Sequence, residues 1–564
     1  MTRATPSFQN NPSDSWQHRL GDIAALRQAL DQRLLALETD RLSWFQHWRD
    51  LAKHIQPRLG RFLMTPNQGD RGSAKNQAII DSTATTASAR FGSGLMAGMT
   101  SPSRQWFRLS INDQQIADKT SVKLWLSEVQ KRMERVFSES NLYRSLGHLY
   151  EDLGIFGTSS MIIYQDYNDI IRCYPLSVGE YCLATDYRFE CNTLYRKFMM
   201  TVNQLVEKFG ISNVSTTAKS LYFNNNRDKE LIICHAIEPN NDDIAGWFGK
   251  KTFPYREIYW EFGSSNEVIL DLKGFEECPL CAPRWSVSGN DAYGRSPGMD
   301  SLGDIRQLQV QQKRKAQAID KVVNPPMIAD ALLKNEPATL LPGGVTYVPS
   351  GLSGVGFRPV YEVRPDIAAI SADIGQCQQR IKTAFFEDLF MMISDLDTVR
   401  TATEIEERKQ EKLLMLGPAI ERIQNELLTI VINRTFGVMM RGGLLPNPPS
   451  YIKNNCLTIS YISPFAIAQQ ASSTAPLERL ATFVASIATS KPEVLDKINF
   501  DETITEYADA LGCSPKLLLQ NDQVALLREA RARSQQQQST LQTGLSVAHG
   551  MATLAKAGIG ISRP

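Results

Sequence analysis

The sequence lacks any long apolar run. Its apolar stretches are short, such as Met161–Tyr164 and Leu427–Ile432, and Thr429 interrupts the second. Neither approaches the roughly 20 residues that a membrane span requires. The N-terminal segment is polar and has no apolar core typical of a secretory signal. We therefore expect a protein that remains in the cytosol where it is made and has no membrane partner.

An excess of charge of one sign is also absent. The 61 lysines and arginines are balanced by 60 aspartates and glutamates, which gives a formal net charge of +1. Proteins that hold nucleic acid by neutralising its phosphates are usually clearly basic. The composition therefore argues against tight, nonspecific DNA binding, although it is compatible with a surface past which DNA slides.

Motifs that carry chemistry are lacking as well, and we find no GxSxG, HExxH, GxGxxG or Walker sequence. The nine cysteines are irregularly spaced, the only CxxC is Cys278–Cys281, and the six histidines are scattered. A zinc site would need a second ligand pair, so we expect free buried thiols and no metal or cofactor. Cys234 and His235 are adjacent, but the sequence offers them no recognisable partners. We therefore predict that the protein is not an enzyme.

What is present indicates a folded protein of several regions. A chain of 564 residues exceeds one ordinary core, and 42% hydrophobic with 21% charged residues is typical of globular folds. Short runs rich in Ile, Tyr and Phe between residues 158 and 290 predict antiparallel strands. Because helical patterns flank and interrupt them without a regular βαβ rhythm, we predict an α+β fold. The helices predicted in this part of the chain lie within 22–55, 76–99, 121–137, 143–156 and 202–209.

Small residues dominate the segment 76–99, which contains Gly92, Gly94 and Gly98. Small side chains let two backbones approach each other closely. The segment therefore predicts a tightly packed helix followed by a turn.

The character of the chain changes at Pro297. Residues 298–323 predict a helix with one narrow apolar stripe, which Gln312 interrupts. Residues 326–363 contain five prolines and five glycines among strand-like runs, and they predict a compact β insert. A second striped helix follows Pro365. The two stripes are Leu302, Ile305, Leu308, Ala316 and Ile319 in the first helix, and Ile367, Ile370, Ile374, Cys377, Ile381 and Phe385 in the second.

A single subunit cannot easily bury both stripes, because each of these helices also has a long polar face. Copies packed side by side around a ring would cover each stripe with a neighbour. The polar faces would then line a channel or face outward, in a head-to-tail cyclic arrangement.

A long helix is predicted from Thr401, where Thr401 and Glu404 match a capping box. Pro418 should kink this helix near Leu414. A strand at 456–464 is expected to return to the α+β region, and helices dominate after residue 469. The apolar stripe of the long helix is Leu413, Leu416, Ile420, Ile423, Leu427 and Ile430. Its acidic residues alternate with basic ones, which indicates a charged surface rather than a catalytic or metal-binding cluster: Glu404, Glu406, Glu407 and Glu411.

Three segments resemble one known family, the portal (head–tail connector) proteins of short-tailed, podovirus-type double-stranded DNA bacteriophages. They are FGSGLMAGMTSPSRQWFRL at 91–109, the helix–insert–helix unit at 298–390, and TATEIEERKQEK at 401–412. The likeness covers roughly residues 20 to 530. It implies a ring of twelve subunits around a central DNA channel.

The resemblance also implies a division of the chain into the parts of a portal subunit. These parts are an N-terminal arm (1–19), an α+β wing (20–297), a first stem helix (298–323), a clip (324–363), a second stem helix (364–390), a tunnel loop (391–400), a long kinked helix returning to the wing (401–470), and a helical crown with a C-terminal tail (471–564).

Two sets of residues become candidates for lining the DNA channel. The resemblance places the tunnel loop at the narrowest point, and its side chains are Met391, Met392, Asp395, Asp397 and Arg400. The alternative is an ordinary loop between helices with solvated acids. A basic cluster in the first stem helix, Lys313, Arg314 and Lys315, is the second candidate. Its alternative is a solvated helix face.

The resemblance further implies partners and a location. The partners are other copies of the chain, double-stranded DNA passing without sequence specificity, the large terminase subunit, major capsid and scaffolding proteins, and the tail adaptor and internal core proteins. The location is the capsid vertex of the virion, after synthesis in the host cytoplasm. ATP hydrolysis would belong to the separate motor. Two alternatives remain at this point: another ring-forming virion component such as a tail adaptor, and an α+β enzyme acting on nucleic acid.

Overall fold

The computed structural model describes two compact units of the chain. The first comprises residues 1–109 and 128–448, and the second comprises 110–127 and 449–564. The described residues are 16–59, 63, 78–113, 116, 119–240, 253–264, 269–323, 327–328, 358–359, 366–394, 416–449, 457–462, 482–484, 486, 499, 501, 503–504 and 524–534. Within these ranges no helix combines the length and apolar character that crossing a bilayer would take.

The helices of the first unit lie close to the predicted ones. The predicted helix at 22–55 is two helices, α1 and α2, which meet at Arg41. The bounds are α1 (Trp16–Asp40), α2 (Leu42–His54), α3 (Thr83–Met99), α4 (Thr120–Glu139, which begins in the second unit's range), α5 (Leu142–Phe156), α6 (Val202–Phe209), α7 (Thr216–Phe223), α8 (Leu302–Val323), α9 (Ile367–Ala384), α10 (Glu387–Ser394) and α11 (Thr429–Arg441).

Two antiparallel sheets form between residues 160 and 281, as the strand-like runs predict. One has five strands in the order β4-β5-β6-β7-β8, and the other has three in the order β3-β2-β9. The bounds are β2 (Ser160–Asp166), β3 (Ile170–Leu176), β4 (Tyr181–Thr185), β5 (Cys191–Thr201), β6 (Glu230–Pro239), β7 (Tyr255–Glu261), β8 (Asp271–Phe275) and β9 (Leu280–Cys281). Helices and an antiparallel sheet without βαβ units confirm the α+β fold class.

Helices cover both faces of the five-stranded sheet. Leu30, Leu34 and Leu37 of α1 pack on one face, against Tyr195 and Trp260. Helices α6 and α7 pack on the other face, in a cluster that also contains Ile233, Tyr259 and Leu270. The sheet is therefore the central layer of the α+β region.

The start of α6 follows the sequence closely. The Thr201 hydroxyl accepts a hydrogen bond from the Gln204 backbone amide, and the Gln204 side chain accepts one from the Thr201 amide. This reciprocal capping box satisfies two amides that a helix start leaves without intrahelical partners. The sequence leaves Thr201 and Asn203 as candidate caps for this helix, and the structure uses Thr201.

A buried polar cluster joins the two sheets. The Glu257 carboxylate accepts hydrogen bonds from Tyr164 of β2 and from Tyr259 at 2.9 Å, and it lies 2.9 Å from His235 Nε2. Arg196 Nε donates to His235 Nδ1 at 3.0 Å. Because Nδ1 accepts, the imidazole is neutral and its Nε2–H points at the carboxylate.

Burial controls the protonation of this cluster. His235 is 0% exposed and stacks on the Tyr259 ring at 4.1 Å between centroids. Burial lowers the pKa of His235 to about 4, and the hydrogen bond that His235 donates to Glu257 works in the opposite direction. Burial alone would raise the pKa of Glu257, but hydrogen bonds from His235, Tyr164 and Tyr259 outweigh it, and that pKa is lowered.

The described cysteines are free thiols, as expected from their spacing. Cys173, Cys182, Cys191, Cys234, Cys278, Cys281 and Cys377 carry no disulfide, and all but Cys278 are fully buried. Burial raises the pKa of the Cys278 thiol and raises that of Cys281 well above its usual value. The CxxC pair therefore holds protonated, unreactive thiols.

The second unit is described in smaller pieces. Strands β1 (Phe107–Ile111) and β12 (Leu457–Tyr461) form a two-stranded sheet. The strand predicted at 456–464 is therefore present, and it pairs with β1 rather than with the sheets between 160 and 281. Residues 524–534 are helical, and the Arg528 guanidinium donates to both Asp501 carboxylate oxygens at 2.7 Å.

A prediction concerns the pH dependence of stability. Between pH 6.5 and about 4 the unfolded chain binds a proton at His235 that the folded chain does not bind. Acidification through this window should therefore lower the free energy of unfolding, by up to about 3 kcal/mol. His235→Gln keeps an amide donor for Glu257 and should flatten the decline. Denaturant unfolding from pH 7 to pH 4 measures this change in the free energy of unfolding. His148→Gln, on the exposed side of α5, is the matched control. An identical slope in the His235→Gln and wild-type proteins would contradict the assignment.

Candidate functional site: the paired helices α8 and α9

Helices α8 and α9 are the two striped helices of the sequence, and they pair directly. Arg380 Nε donates to the Asp304 carboxylate at 3.0 Å, and the Cys377 thiol donates to the Asp304 carbonyl at 3.3 Å. Farther along α8, the Gln311 side chain donates to Asp373. Later residues of α8 thus meet earlier residues of α9, so the pair is antiparallel.

The predicted stripe of α9 is buried along its second half. Ile374, Cys377, Ile381 and Phe385 are each at most 4% exposed. They face the core of the first unit, as their three- and four-residue spacing predicts.

The stripe of α8 is covered over only half its length. Leu302, Ile305 and Leu308 are buried, whereas Ile319 is 40% exposed and Val323 is 69% exposed. Residues 312, 316, 319 and 323 continue the same line along the helix, because they follow at three- and four-residue steps. The second half of α8 therefore has an apolar face that the described part of the chain leaves uncovered.

Three glutamines fasten both helices to the start of α3. Gln312 and Gln378 each donate to the Asp81 carboxylate at 2.8 Å. Gln309 accepts from the Ile80 and Asp81 amides at 2.7 and 2.9 Å, and it donates to the Asp81 carbonyl at 2.9 Å. We call this the Asp81 cluster: Asp81, Gln309, Gln312 and Gln378.

The electrostatics of the Asp81 cluster favour an ionised carboxylate. Burial alone would raise the pKa of Asp81, but hydrogen bonds from Thr83, Gln378 and Gln312 outweigh burial and lower it. A charged acceptor makes stronger hydrogen bonds than a neutral one. The cluster therefore holds α8, α9 and α3 together at neutral pH.

Helix α3 also holds α10, which follows α9. The Arg90 side chain pairs with the buried Glu387 carboxylate. Gly94 lies directly against the Phe390 ring, so that a Cβ there would overlap it. On the opposite side, a Cβ on Gly92 would lie 3.1 Å from the Glu151 backbone nitrogen of α5. The glycines thus permit the close approach that the sequence predicts.

The helix predicted at 364–390 is two helices with a joint between them. Helix α9 ends at Ala384, and Phe386 has a positive φ of 57° before α10 begins at Glu387. A positive φ is uncommon for a bulky residue and needs support from its surroundings. Phe385 is fully buried and Trp285 lies 5.9 Å from the Phe386 ring, which supplies that support.

The structure places two of the five predicted tunnel-loop residues. Met391 and Met392 lie in helix α10, which extends to Ser394, so the start of the predicted loop is helical. The Met391 side chain is 53% exposed. Asp395, Asp397 and Arg400 lie outside the described residues, as do the predicted capping box and the four glutamates at 404–411.

The basic cluster lies on the second half of α8. Lys313 and Arg314 are exposed, and Lys315 is half-buried. Consecutive residues point around the helix, so the three cannot share one face. The sequence predicts this basic cluster, but it does not predict the Asp81 cluster. The one signal was Gln312, a polar residue at a position where the stripe predicts an apolar one.

The described part of the chain shows no candidate metal centre. No three His, Cys, Asp or Glu side chains gather there as metal ligands. An open groove of about 790 Å³ lies beside α9. Its lining includes Trp285 and Phe386, and its Arg380 is already paired with Asp304.

Comparison with known proteins gives one consistent family. The family model for the bacteriophage head to tail connecting protein matches residues 27–519. The portal protein of Salmonella phage epsilon15 is 42% identical over 533 residues, covering 94% of this chain and 95% of that protein. The probable portal protein of Bordetella phage BPP-1 is 39% identical over the same length, with the same coverage.

A prediction concerns Gly94. Gly94→Ala should lower the free energy of unfolding by about 1–3 kcal/mol, because the new methyl group overlaps the Phe390 ring. Gly375→Ala on α9 is the control, since nothing lies within 4 Å of its Cβ position. At that position the higher helix propensity of alanine should raise the free energy of unfolding by up to about 1 kcal/mol.

The same contact can be tested in a double-mutant cycle measured by denaturant unfolding. In a Phe390→Ala background, Gly94→Ala should lower the free energy of unfolding much less than it does in the wild type, because the two positions touch. Additive effects of the two substitutions would show that the close approach of α3 and α10 does not set the cost.

Proposed function

The chain belongs to the family of bacteriophage head-to-tail connecting proteins, and from this premise we propose that it is a portal protein. In this role, copies of the chain form a ring at the capsid vertex, and double-stranded DNA is packaged and ejected through the ring. Family membership favours a structural component of the virion over the enzyme alternative.

One structural observation supports assembly into a ring. The second half of α8 leaves Ile319 and Val323 exposed along a line whose first half is buried. Apolar surface of this kind is stabilised when a neighbour covers it, at about 25 cal/mol per Å². A cyclic, head-to-tail arrangement repeats the same cover for every copy. We propose that twelve copies close the ring.

The division of the subunit follows from the same proposal. Residues 20–297 and 401–470 form the wing, and the segments 298–323 and 364–390, which contain α8 and α9, form the stem. Residues 324–363 form the clip, and strands β10 (Met327–Ile328) and β11 (Arg358–Pro359) pair antiparallel at its base. Residues 471–564 form the crown and tail.

The channel and the partners complete the proposal. Met391, Met392, Asp395, Asp397 and Arg400 lie at the narrowest part of the channel, and the acids keep DNA from adhering there. The large terminase subunit docks on the clip during packaging, and the tail adaptor replaces it. Major capsid, scaffolding and internal core proteins contact the wing and crown.

The mass of the purified protein tests the proposal. Twelve copies of a 63.2 kDa chain would form a particle of about 0.76 MDa. Multi-angle light scattering should report that mass, and negative-stain images down the axis should show a ring with a central hole. A chain that stays monomeric at high concentration with α8 and α9 folded would overturn the proposal.

A prediction concerns the uncovered stripe. Ile319→Glu places a charge where a neighbour is expected to cover the helix, and it should raise the concentration for half-assembly at least tenfold, equivalent to about 1.4 kcal/mol. Gln317→Glu adds the same charge two residues away, at an exposed position on the opposite side of α8, and should leave assembly unchanged. Analytical ultracentrifugation measures both. Equal effects of the two variants would assign the loss to charge alone.

A further prediction concerns the basic cluster. If Lys313 and Arg314 face the channel, replacing both by Gln should weaken DNA retention in filled particles, and the difference should shrink as salt rises. Arg295→Gln, which removes an exposed arginine paired with Asp300, is the control for lost positive charge. Retention is measured as released DNA after a salt series. A salt-independent difference, or none, would favour a solvated helix face.

A further inference from the structure

The long helix that ends in α11 contains a π-helical turn. Residues 416–423 are α-helical, Gln424–Leu428 form a π turn, and α11 follows. A π turn holds one residue more than the α-helix accommodates, so it is rare and often marks a functional position. The sequence predicts a proline kink near Leu414, which lies outside the described residues, but it does not predict this turn.

The π turn displaces the buried stripe. Ile420 and Ile423 are buried before it and Leu427 is buried within it, as predicted, but the predicted Ile430 is only half-buried. Val431 and Ile432 are buried instead. The extra residue therefore changes which side chains α11 turns towards the core.

Glu426 lies within the π turn and is held by Arg284. Its carboxylate accepts from the Arg284 backbone nitrogen at 2.9 Å and from Nε at 3.2 Å, and it also accepts from Nη2. The Arg284 side chain is 4% exposed and that of Glu426 is 16% exposed. Forked arginine–carboxylate pairs of this kind are strong and fix geometry.

Arg284 is itself fixed from the other side. Its Nη1 donates to the Asp291 carbonyl at 2.9 Å, and its Nη2 donates to the Phe189 carbonyl at 2.8 Å. The guanidinium therefore cannot follow Glu426 if the helix turns. Removing the extra residue from the π turn would rotate one side of the helix by about 100° relative to the other, so the straight α-helical register and the Arg284–Glu426 pair exclude each other.

The segment around Arg284 also reaches the joint between α9 and α10. Residues 281–285 are all buried, and the Trp285 carbonyl accepts from Arg422 at 2.9 Å, one turn before Glu426. The Trp285 ring packs edge-on against Phe91 of α3 at 5.1 Å and lies 5.9 Å from Phe386. Two irregular sites, the π turn and the positive-φ joint, are thus fastened to neighbouring residues.

We propose that the Arg284–Glu426 pair is a latch that selects the π register of the long helix, and that residues 281–285 transmit a change of register to the joint at Phe386. With the latch closed, the helix keeps its displaced stripe and the joint keeps its positive φ. Opening the latch lets the helix return to the α register and loosens Trp285 against Phe91 and Phe386. This inference concerns a single subunit and does not depend on ring formation.

Hydrogen–deuterium exchange on the full-length chain tests the latch. Glu426→Gln keeps the shape of the side chain but removes its charge, and Arg284→Lys keeps the charge but removes the fork. Each should speed amide exchange at 424–432 at least tenfold. Asp300→Asn, which breaks the exposed pair with Arg295, is the matched control and should leave both sites unchanged.

Each outcome decides one part of the inference. Unchanged exchange at 424–432 in both variants would overturn the latch. Faster exchange at 424–432 with unchanged exchange at 385–390 would overturn the transmission to the joint. Faster exchange at both sites, with a far-ultraviolet spectrum like that of the wild type, is the expected result. Arg284→Lys is the milder variant and carries the test if Glu426→Gln does not fold.

Discussion

The close contacts of helix α3 are the constraint on which the first unit depends. Asp81, two residues before α3, presents its carboxylate to α8 and α9, and the middle of α3 presents glycines to α5 and α10. Hydrogen bonds to a charged acceptor set the first contact, and the absence of side chains sets the second. Because the two contacts lie on one continuous segment, Asp81 and the helix that follows it, the position of α10 is tied to that of the paired helices.

In the sheet region, a buried polar cluster joins the two antiparallel sheets. Four hydrogen-bonding side chains converge on Glu257 or on its partner His235, and the unprotonated Nδ1 of His235 accepts from Arg196. A buried carboxylate without donors would be costly, whereas one whose partners are all in place specifies a single arrangement of the strands. The cluster therefore fixes the sheets at neutral pH, and we expect it to make the fold sensitive to acid.

Patterns in the sequence predicted those features of the fold that depend only on residues close together in the chain. The cap at Thr201, the strands between 160 and 281 and the stripe of α9 all follow from spacing within one element. The Asp81 cluster, the partners of His235 and the joint at Phe386 could not be predicted in this way, because each depends on residues far apart in the chain. Asp81 and Gln378, for example, are separated by 297 positions. The π turn belongs to the same class, since Arg284 stabilises it from 142 positions away.

The half-covered stripe of α8 connects this local physics to assembly. Within the first unit, α9 and the Asp81 cluster cover the helix as far as Gln312, and beyond that point no residue of α8 is buried. An apolar line that continues past its own cover is a cost for an isolated subunit and a source of stability for an assembled one. The paired helices are thus held in place near α3, whereas the part of α8 that extends beyond it leaves apolar side chains exposed. A rigid element with an exposed apolar end meets the requirement of a repeating interface, because each copy offers the same face in the same geometry.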